Sequence, residues 1–143
     1  MRTTIEDYQV ITKFHVQWGE MDAANHVNNL IYLRWAESGR IEYFEKMGMD
    51  ISFNSGGTGP ILGWQDCKYI FPMTFPDTAI VGCRVLEILS DRFTVETAIF
   101  SEKHQRIAAI SQQSIIPYNY AELKKVNLPE IWVEKIRAIE KGI

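Results

Sequence analysis

From Val10 to Trp18 the chain alternates. Val10, Phe14, Val16 and Trp18 fall on one side, and Lys13, His15 and Gln17 on the other. A period of two predicts a half-buried strand. After a polar loop from Gly19 to Asn29 the period lengthens, and Tyr32, Ala36, Gly39, Tyr43 and Met47 recur at helical spacing, widened by Leu33 and Phe44. Arg34, Ser38, Glu42, Glu45 and Lys46 take the opposite side, so an amphipathic helix is expected, closed by Gly48. Gly39 costs about 1 kcal/mol inside a helix relative to alanine. Beside Ala36 it reads as a flat patch against which a sheet packs closely. Arg40 intrudes on the apolar side, and the pattern offers no reason for it. A glycine-rich connector follows from Asp50 to Pro60. Ile61 to Phe71 is the next expected strand, bounded by Pro72 and Pro76. Thr78–Leu89, Arg92–Ser101 and Arg106–Ile116 then form a meander, with Phe93, Val95, Thr97 and Ile99 alternating most cleanly. Asn127-Leu128-Pro129-Glu130 reads as a helix start, with Asn127 at the N-cap and Glu130 at the third position. Leu128, Trp132, Ile136 and Ile139 make that helix's apolar stripe. The order β-α-β-β-β-β-α predicts an α+β domain spanning residues 1–143, with a five-stranded antiparallel sheet.

Composition narrows the function classes. The length of 143 residues suits one domain with a proper core, and a net charge of −3 gives no basic field for nucleic acid. No apolar run approaches a membrane span, and the first residues lack the apolar core of a secretory signal, so a cytoplasmic protein without a membrane anchor is expected. Cys67 and Cys83 sit within strand patterns and read as buried, reduced thiols. His15, His26 and His104 have no metal-ligand spacing, so no metal is expected. The glycine-rich connector lacks a P-loop's spacing, and no Gly-x-Ser-x-Gly elbow is present.

The chemistry concentrates in Asp22-Ala23-Ala24-Asn25-His26-Val27-Asn28-Asn29. A lone carboxylate stands in a turn-prone loop just before the long helix. A helix start exposes unpaired N–H groups and partial positive charge, which favour a developing anion. A carboxylate facing such a terminus supplies both a base or nucleophile and an oxyanion donor, the needs of acyl hydrolysis. On the loop alone, Asp22 reads first as a turn residue, Asn28 or Asn29 as an N-cap, and His26 as a hydrogen-bonded loop histidine. Glu37 reads as an ion-pair partner of Arg34 or Arg40 at a spacing of three.

The letters Asp22-Ala23-Ala24, Val27 and Tyr32-Leu33-Arg34-Trp35 with Glu37, Arg40 and Phe44 resemble the 4-hydroxybenzoyl-CoA thioesterase-like branch of the hot-dog fold. His26-Val27-Asn28-Asn29 resembles the form of that loop in related acyl thioesterases. The resemblance is dense from Val16 to Phe44 and rests on element order elsewhere. It implies a long helix wrapped by the sheet, and hydrolysis of a small or medium acyl-CoA. Asp22 then corresponds to the family's catalytic aspartate, and the N–H of Asn29 to the amide that polarises the thioester carbonyl, with Asn28, His26, Val27, Tyr32 and Trp64 around the site. Coenzyme A enters only as part of the substrate, and no cofactor is implied. Asn25 stands where many relatives carry glycine, and Asn28-Asn29 where the benzoyl enzymes carry aromatic residues, which counts against an aromatic acyl group and leaves aliphatic ones open.

An open sheet edge invites a second chain, and Ile61-Leu62-Gly63-Trp64 carries no charge to block it. A homodimer or homotetramer is therefore expected, with each site shared by two subunits in the resembling family. A non-catalytic acyl-CoA-binding module and an acyl-carrier-protein thioesterase remain the alternatives. A hot-dog dehydratase fits poorly, since no histidine–acid pair is placed for its chemistry. Lys103 and Arg106 are the basic residues considered for the nucleotide phosphates, against an ordinary solvated role.

Overall fold

Alternation along one strand decides which face of the sheet meets the long helix. The computed structural model describes residues 3–49 and 57–143. Its elements are β1 (Val10–His15), α1 (Asn29–Lys46), β2 (Thr58–Gln65), β3 (Lys68–Tyr69), β4 (Thr78–Ile88), β5 (Phe93–Ser101), β6 (Arg106–Asn119), β7 (Lys124–Lys125) and α2 (Glu130–Ile139). The strands form one antiparallel sheet in the order β1-β4-β5-β6-β2, with β3 and β7 also paired to β6. Phe93, Val95, Thr97 and Ile99 of β5 are fully buried, level with Val81, Cys83 and Val85 on β4. The sheet curls around α1 over this inner face.

Gly39 is where helix and sheet come closest. A Cβ there would lie 2.7 Å from Val81 Cγ1 and 3.2 Å from Thr97 Cγ2, so the flat patch expected from the sequence is a true close approach. The core divides on either side of it. Tyr32, Trp35 and Ala36 pack with Val16, Ala79 and Ala109 at the helix's N-terminal half. Tyr43, Phe44 and Met47 pack with Phe93, Ile115 and the α2 residues Trp132 and Ile136 at the other half. Between them runs a buried polar link, in which the Gln113 amide donates to Thr97 Oγ1 at 2.8 Å and to Ser111 Oγ at 2.6 Å. Buried polar groups are kept only where they are satisfied in this way. Among the described residues Thr12, through its Oγ1, and Arg40 are the exceptions, and Arg40 is the charged one. It is 8% exposed, its Nη2 lies 3.8 Å from Glu37, and its Nη1 meets no acceptor among the described residues.

Two latches fasten the ends. Tyr43 donates to Glu140 Oε2 at 2.8 Å, and that oxygen also accepts from the Val85 N–H, tying α1 and β4 to the end of α2. On the outer face Tyr8 covers Gly82 and donates to Glu96 at 2.7 Å, while Arg84 bonds the same carboxylate and sits 4.6 Å over the Tyr8 ring.

Several boundaries differ from the expectation. β1 stops at His15, and Trp18 lies in a short 3-10 turn, 73% exposed rather than inward. The expected strand Ile61–Phe71 is two strands broken at Asp66, whose own carboxylate accepts the Gln112 N–H and so replaces a ladder bond. The expected connector reaches only to Gly57, because Thr58, Gly59 and Pro60 already pair with β6; its residues 50–56 lie outside the described residues. β6 continues to Asn119, and β7 folds back on it. Helix α2 begins at Glu130 with Pro129, not Asn127, at the N-cap. Cys83 is fully buried, whereas Cys67 is half-buried, and both are free thiols. Among the described residues no helix is long and apolar enough to cross a membrane.

Candidate active site

The loop before α1 is built by its own backbone. The Asp22 N–H donates to the His26 carbonyl at 3.0 Å, the Asn25 N–H returns to the Asp22 carbonyl at 2.9 Å, and Met21 bridges Val27. Closing so tight a turn puts Asn25 at φ +61°, a left-handed conformation that glycine and asparagine tolerate best. Asn25 therefore closes the turn without a glycine. His26 Nδ1 donates to the Ala24 carbonyl at 2.9 Å, the loop role expected of it. Val27 is buried and its N–H donates to the Met73 carbonyl, pinning the loop to the segment after β3.

Asn28 joins this loop to the helix. Its Oδ1 accepts from the Leu30 N–H at 2.9 Å as the N-cap, while its Nδ2 reaches the Asp22 carboxylate at 3.5 Å. Asp22 Oδ1 also accepts from the Ala24 N–H at 2.9 Å, so the exposed carboxylate is oriented from two sides. The N–H groups of Leu30 and Ile31 are both bound to Asn28. The N–H of Asn29 meets no acceptor among the described residues. The two asparagines thus divide the work: one caps, and the other presents its backbone.

Asn29 lines a cavity of about 250 Å³ together with Val27, Tyr32, Tyr69, Ile70, Phe71 and Pro72. Tyr32 stands edge-on to Tyr69 at 5.5 Å and receives the Met73 N–H on its hydroxyl, which fixes the wall. Tyr69 donates to the Asn29 carbonyl at 3.1 Å. Burial foremost, then the neighbouring Cys67, pushes the Tyr69 hydroxyl up to about 12, and burial raises Tyr32 and Cys67 as well. The wall is neutral at physiological pH.

Of the residues expected at the site, Val27, Asn29 and Tyr32 line the cavity, whereas Asp22, His26 and Asn28 lie in the adjoining loop, where Asn28 reaches Asp22 and His26 bonds Ala24. Trp64 stands apart: it pairs with Ser114, on the sheet face turned away from α1, and is 55% exposed. Glu37 is exposed on the helix and, among the described residues, pairs with Arg40 alone. Sequence reasoning missed Tyr69, Ile70, Phe71 and Pro72 as cavity walls. The signal was present, because Tyr69 and Phe71 lie two apart at the end of a strand that stops at Pro72. Among the described residues no three His, Cys, Asp or Glu side chains converge.

The whole fold recurs in solved structures. A Thermus thermophilus thioesterase complexed with coenzyme A and zinc matches at TM-score 0.84 and 23% identity, over 96% of this chain and 99% of that one. A Pseudomonas aeruginosa protein matches at 0.84 and 24% over 99% of both chains. A 1,4-dihydroxy-2-naphthoyl-CoA thioesterase from Synechocystis matches at 0.79 and 17%, over 89% of this chain and 94% of that one. No curated protein sequence matches the chain. A family model, that of the thioesterase-like superfamily, matches residues 16–136 and so takes in the loop, α1, strands β2 to β7 and most of α2, with β1 just outside it. With the match covering the site as well as the scaffold, this chain belongs to the thioesterase-like superfamily, a thioester hydrolase of the hot-dog fold.

Proposed function

We propose that the protein hydrolyses a small acyl-CoA, with Asp22 as nucleophile or general base and the Asn29 N–H as donor to the thioester carbonyl. The observation that carries this reading is Asn28, whose side chain caps α1 and reaches the Asp22 carboxylate at 3.5 Å, next in the chain to Asn29, whose N–H meets no acceptor among the described residues. The thioester carbonyl oxygen accepts from Asn29 N–H, and negative charge builds on that oxygen as the carbonyl carbon becomes tetrahedral. A preoriented donor at a helix start stabilises such charge without reorganising. Asp22 either attacks the carbon, giving a mixed anhydride that water then opens, or takes the proton from an attacking water. Both routes release coenzyme A as its thiol and the acyl group as a carboxylic acid.

The acyl group is small. A cavity of about 250 Å³ walled by Tyr32, Tyr69 and Phe71 takes a short chain or a single ring. A neighbour named as a gentisyl-coenzyme A thioesterase supports keeping a single ring within range, although Asn28 and Asn29 put an aromatic acyl group in doubt. The working unit is a pair of chains. Among the described residues β2 has no partner on its free side, its Ile61, Leu62 and Trp64 are exposed, and Asp22 is exposed in the single chain. Thiol release from a panel of short aliphatic and single-ring acyl-CoAs, beside the same groups on acyl carrier protein, tests the reading. Turnover of at least one acyl-CoA is expected. Binding without turnover of any member would establish the non-catalytic module instead.

A further inference from the structure

Tyr69 does two things at once. Its ring is a wall of the acyl cavity, and its hydroxyl donates to the Asn29 carbonyl at 3.1 Å. Among the described residues this is the one hydrogen bond that reaches Asn29 from across the cavity. The peptide before Asn29 is held by the Ile31 N–H, which donates to the Asn28 carbonyl. The peptide after it is held twice, by Asn28 Oδ1 on the Leu30 N–H and by Tyr69 on the carbonyl. The direction of the Asn29 N–H is therefore set in part by Tyr69. Little else fixes that ring. β3 is two residues long and, among the described residues, pairs only with β6, and Tyr69 is 47% exposed. Its aromatic neighbour Tyr32, edge-on at 5.5 Å, is buried and bound by the Met73 N–H, so Tyr69 is the looser of the two. The rival acceptor for its hydroxyl is Cys67. Burial pushes that thiol up and keeps it neutral, and a neutral sulfur accepts only weakly.

We propose that Tyr69 is a positioning residue that senses the acyl group: an acyl chain packed on its ring holds the hydroxyl on Asn29 and so keeps the Asn29 N–H aimed at the thioester carbonyl. The inference rests on the acyl-CoA reading above. An acyl chain removes the exposed part of the ring from water only while the ring stays in the wall. That same ring position makes the bond to Asn29. Acyl binding energy therefore goes into aligning the donor as well as into holding the substrate, and it appears in kcat. A wall that only gave room would select acyl groups through KM.

Tyr69→Phe keeps the ring and deletes the hydroxyl. Two substrates separate the roles: acetyl-CoA, which leaves the cavity nearly empty, and the best cavity-filling acyl-CoA of the panel. In the wild type kcat is expected to be about fivefold higher for the filling group, the size of one hydrogen bond kept or lost. In Tyr69→Phe this advantage should disappear, while KM for the filling substrate holds. Tyr43→Phe, which removes a latch in the other half of the core, lowers the melting temperature and leaves the kcat ratio alone, so lost stability is told from lost aim. A readout that needs no turnover is the Asn29 amide resonance in protein carrying isotope-labelled asparagine, assigned by its loss in Asn29→Ala. The thioether S-hexyl-CoA is expected to shift it more than S-ethyl-CoA in the wild type, and by the same amount in Tyr69→Phe. No kcat advantage in the wild type, an unchanged ratio in Tyr69→Phe, a raised KM with the ratio kept, or equal shifts by the two thioethers in the wild type would each overturn the assignment. Were no thioester hydrolysed at all, the catalytic reading would fall while the resonance still decided this one.

Discussion

Asn28 performs two tasks with one side chain, and they can be separated. Asn28→Ala removes the cap, worth about 1 kcal/mol, and frees Asp22 from its tether, so both the melting temperature and kcat should fall. Asn28→Asp keeps an N-cap oxygen but sets a like charge beside Asp22. Like charges disfavour ionisation, so its acid limb of kcat against pH should move to higher pH while the melt stays near wild type. An unmoved limb would mean that Asp22 does not sit against position 28. Asn29 is tested through its backbone. Asn29→Ala should change kcat little, whereas Asn29→Pro deletes the N–H at a position where helices accept proline, and should abolish turnover in a folded protein. Equal activity in a folded proline variant rules this amide out. The sequence showed which residues crowd the loop, since Asp, Asn and a helix period are all visible in letters. It did not show which asparagine caps, because that depends on where the first helical turn begins. Trp18 was misread for a related reason: alternation continued in the letters beyond the point where the backbone left the strand. Arg40 stays without a full account, as its Nη1 has no acceptor among the described residues.

At the scale of elements, α1 is seated by a missing side chain. Gly39→Val adds a Cβ and two methyls where the Cβ alone would stand 2.7 Å from Val81 Cγ1. Overpacking of this kind costs about 1–3 kcal/mol, so the melting temperature should drop, and a variant as stable as wild type would mean that the helix lifts freely. Helix and sheet partnership was legible because Gly39 and Ala36 share the helical stripe and β5 alternates cleanly. The break between β2 and β3 was not, since Asp66 substitutes a side-chain bond for a ladder bond and leaves the apolar run looking continuous. Nor was β7, two lysines that gain their order from pairing with Tyr118 and Asn119. The tyrosine latches set a pH limit. Burial first, then the carboxylate each donates to, raises the hydroxyls of Tyr8 and Tyr43 well above their ordinary value, and Tyr69 rises to about 12. A raised folded value means that the neutral hydroxyl is favoured in the native state. Its stabilisation is complete below about pH 10 and is lost as pH climbs through the folded value. The urea midpoint should therefore be level up to about pH 10 and fall above it. Tyr43→Phe should have a lower midpoint at neutral pH and a shallower alkaline decline; an identical alkaline slope would remove the Tyr43–Glu140 latch from the account.

At the scale of the whole molecule, the open side of β2 among the described residues and the exposed Asp22 are the two observations behind the proposed pairing of chains. Leu62 lies in β2 opposite Ile115, whose side chain faces the core. Leu62→Lys places a charge on the free edge and should shift sedimentation toward a 16.5 kDa species with lost activity. A fully active monomer at micromolar concentration would refute the shared site. Element order and the loop's letters were enough to name the architecture before any coordinate. The cavity was not legible, because its walls come from segments distant in the chain, the loop and first turn of α1 on one side and Tyr69 to Pro72 on the other, which meet through the Tyr69–Asn29 and Val27–Met73 bonds. The central claim, that Asp22 performs the hydrolysis, is tested most directly by kcat of Asp22→Asn on the best acyl-CoA. A fall of about 100- to 10,000-fold with an unchanged melt and unchanged binding of the substrate is the result expected for a lost base or nucleophile. Turnover near the wild-type rate in the folded variant would contradict it.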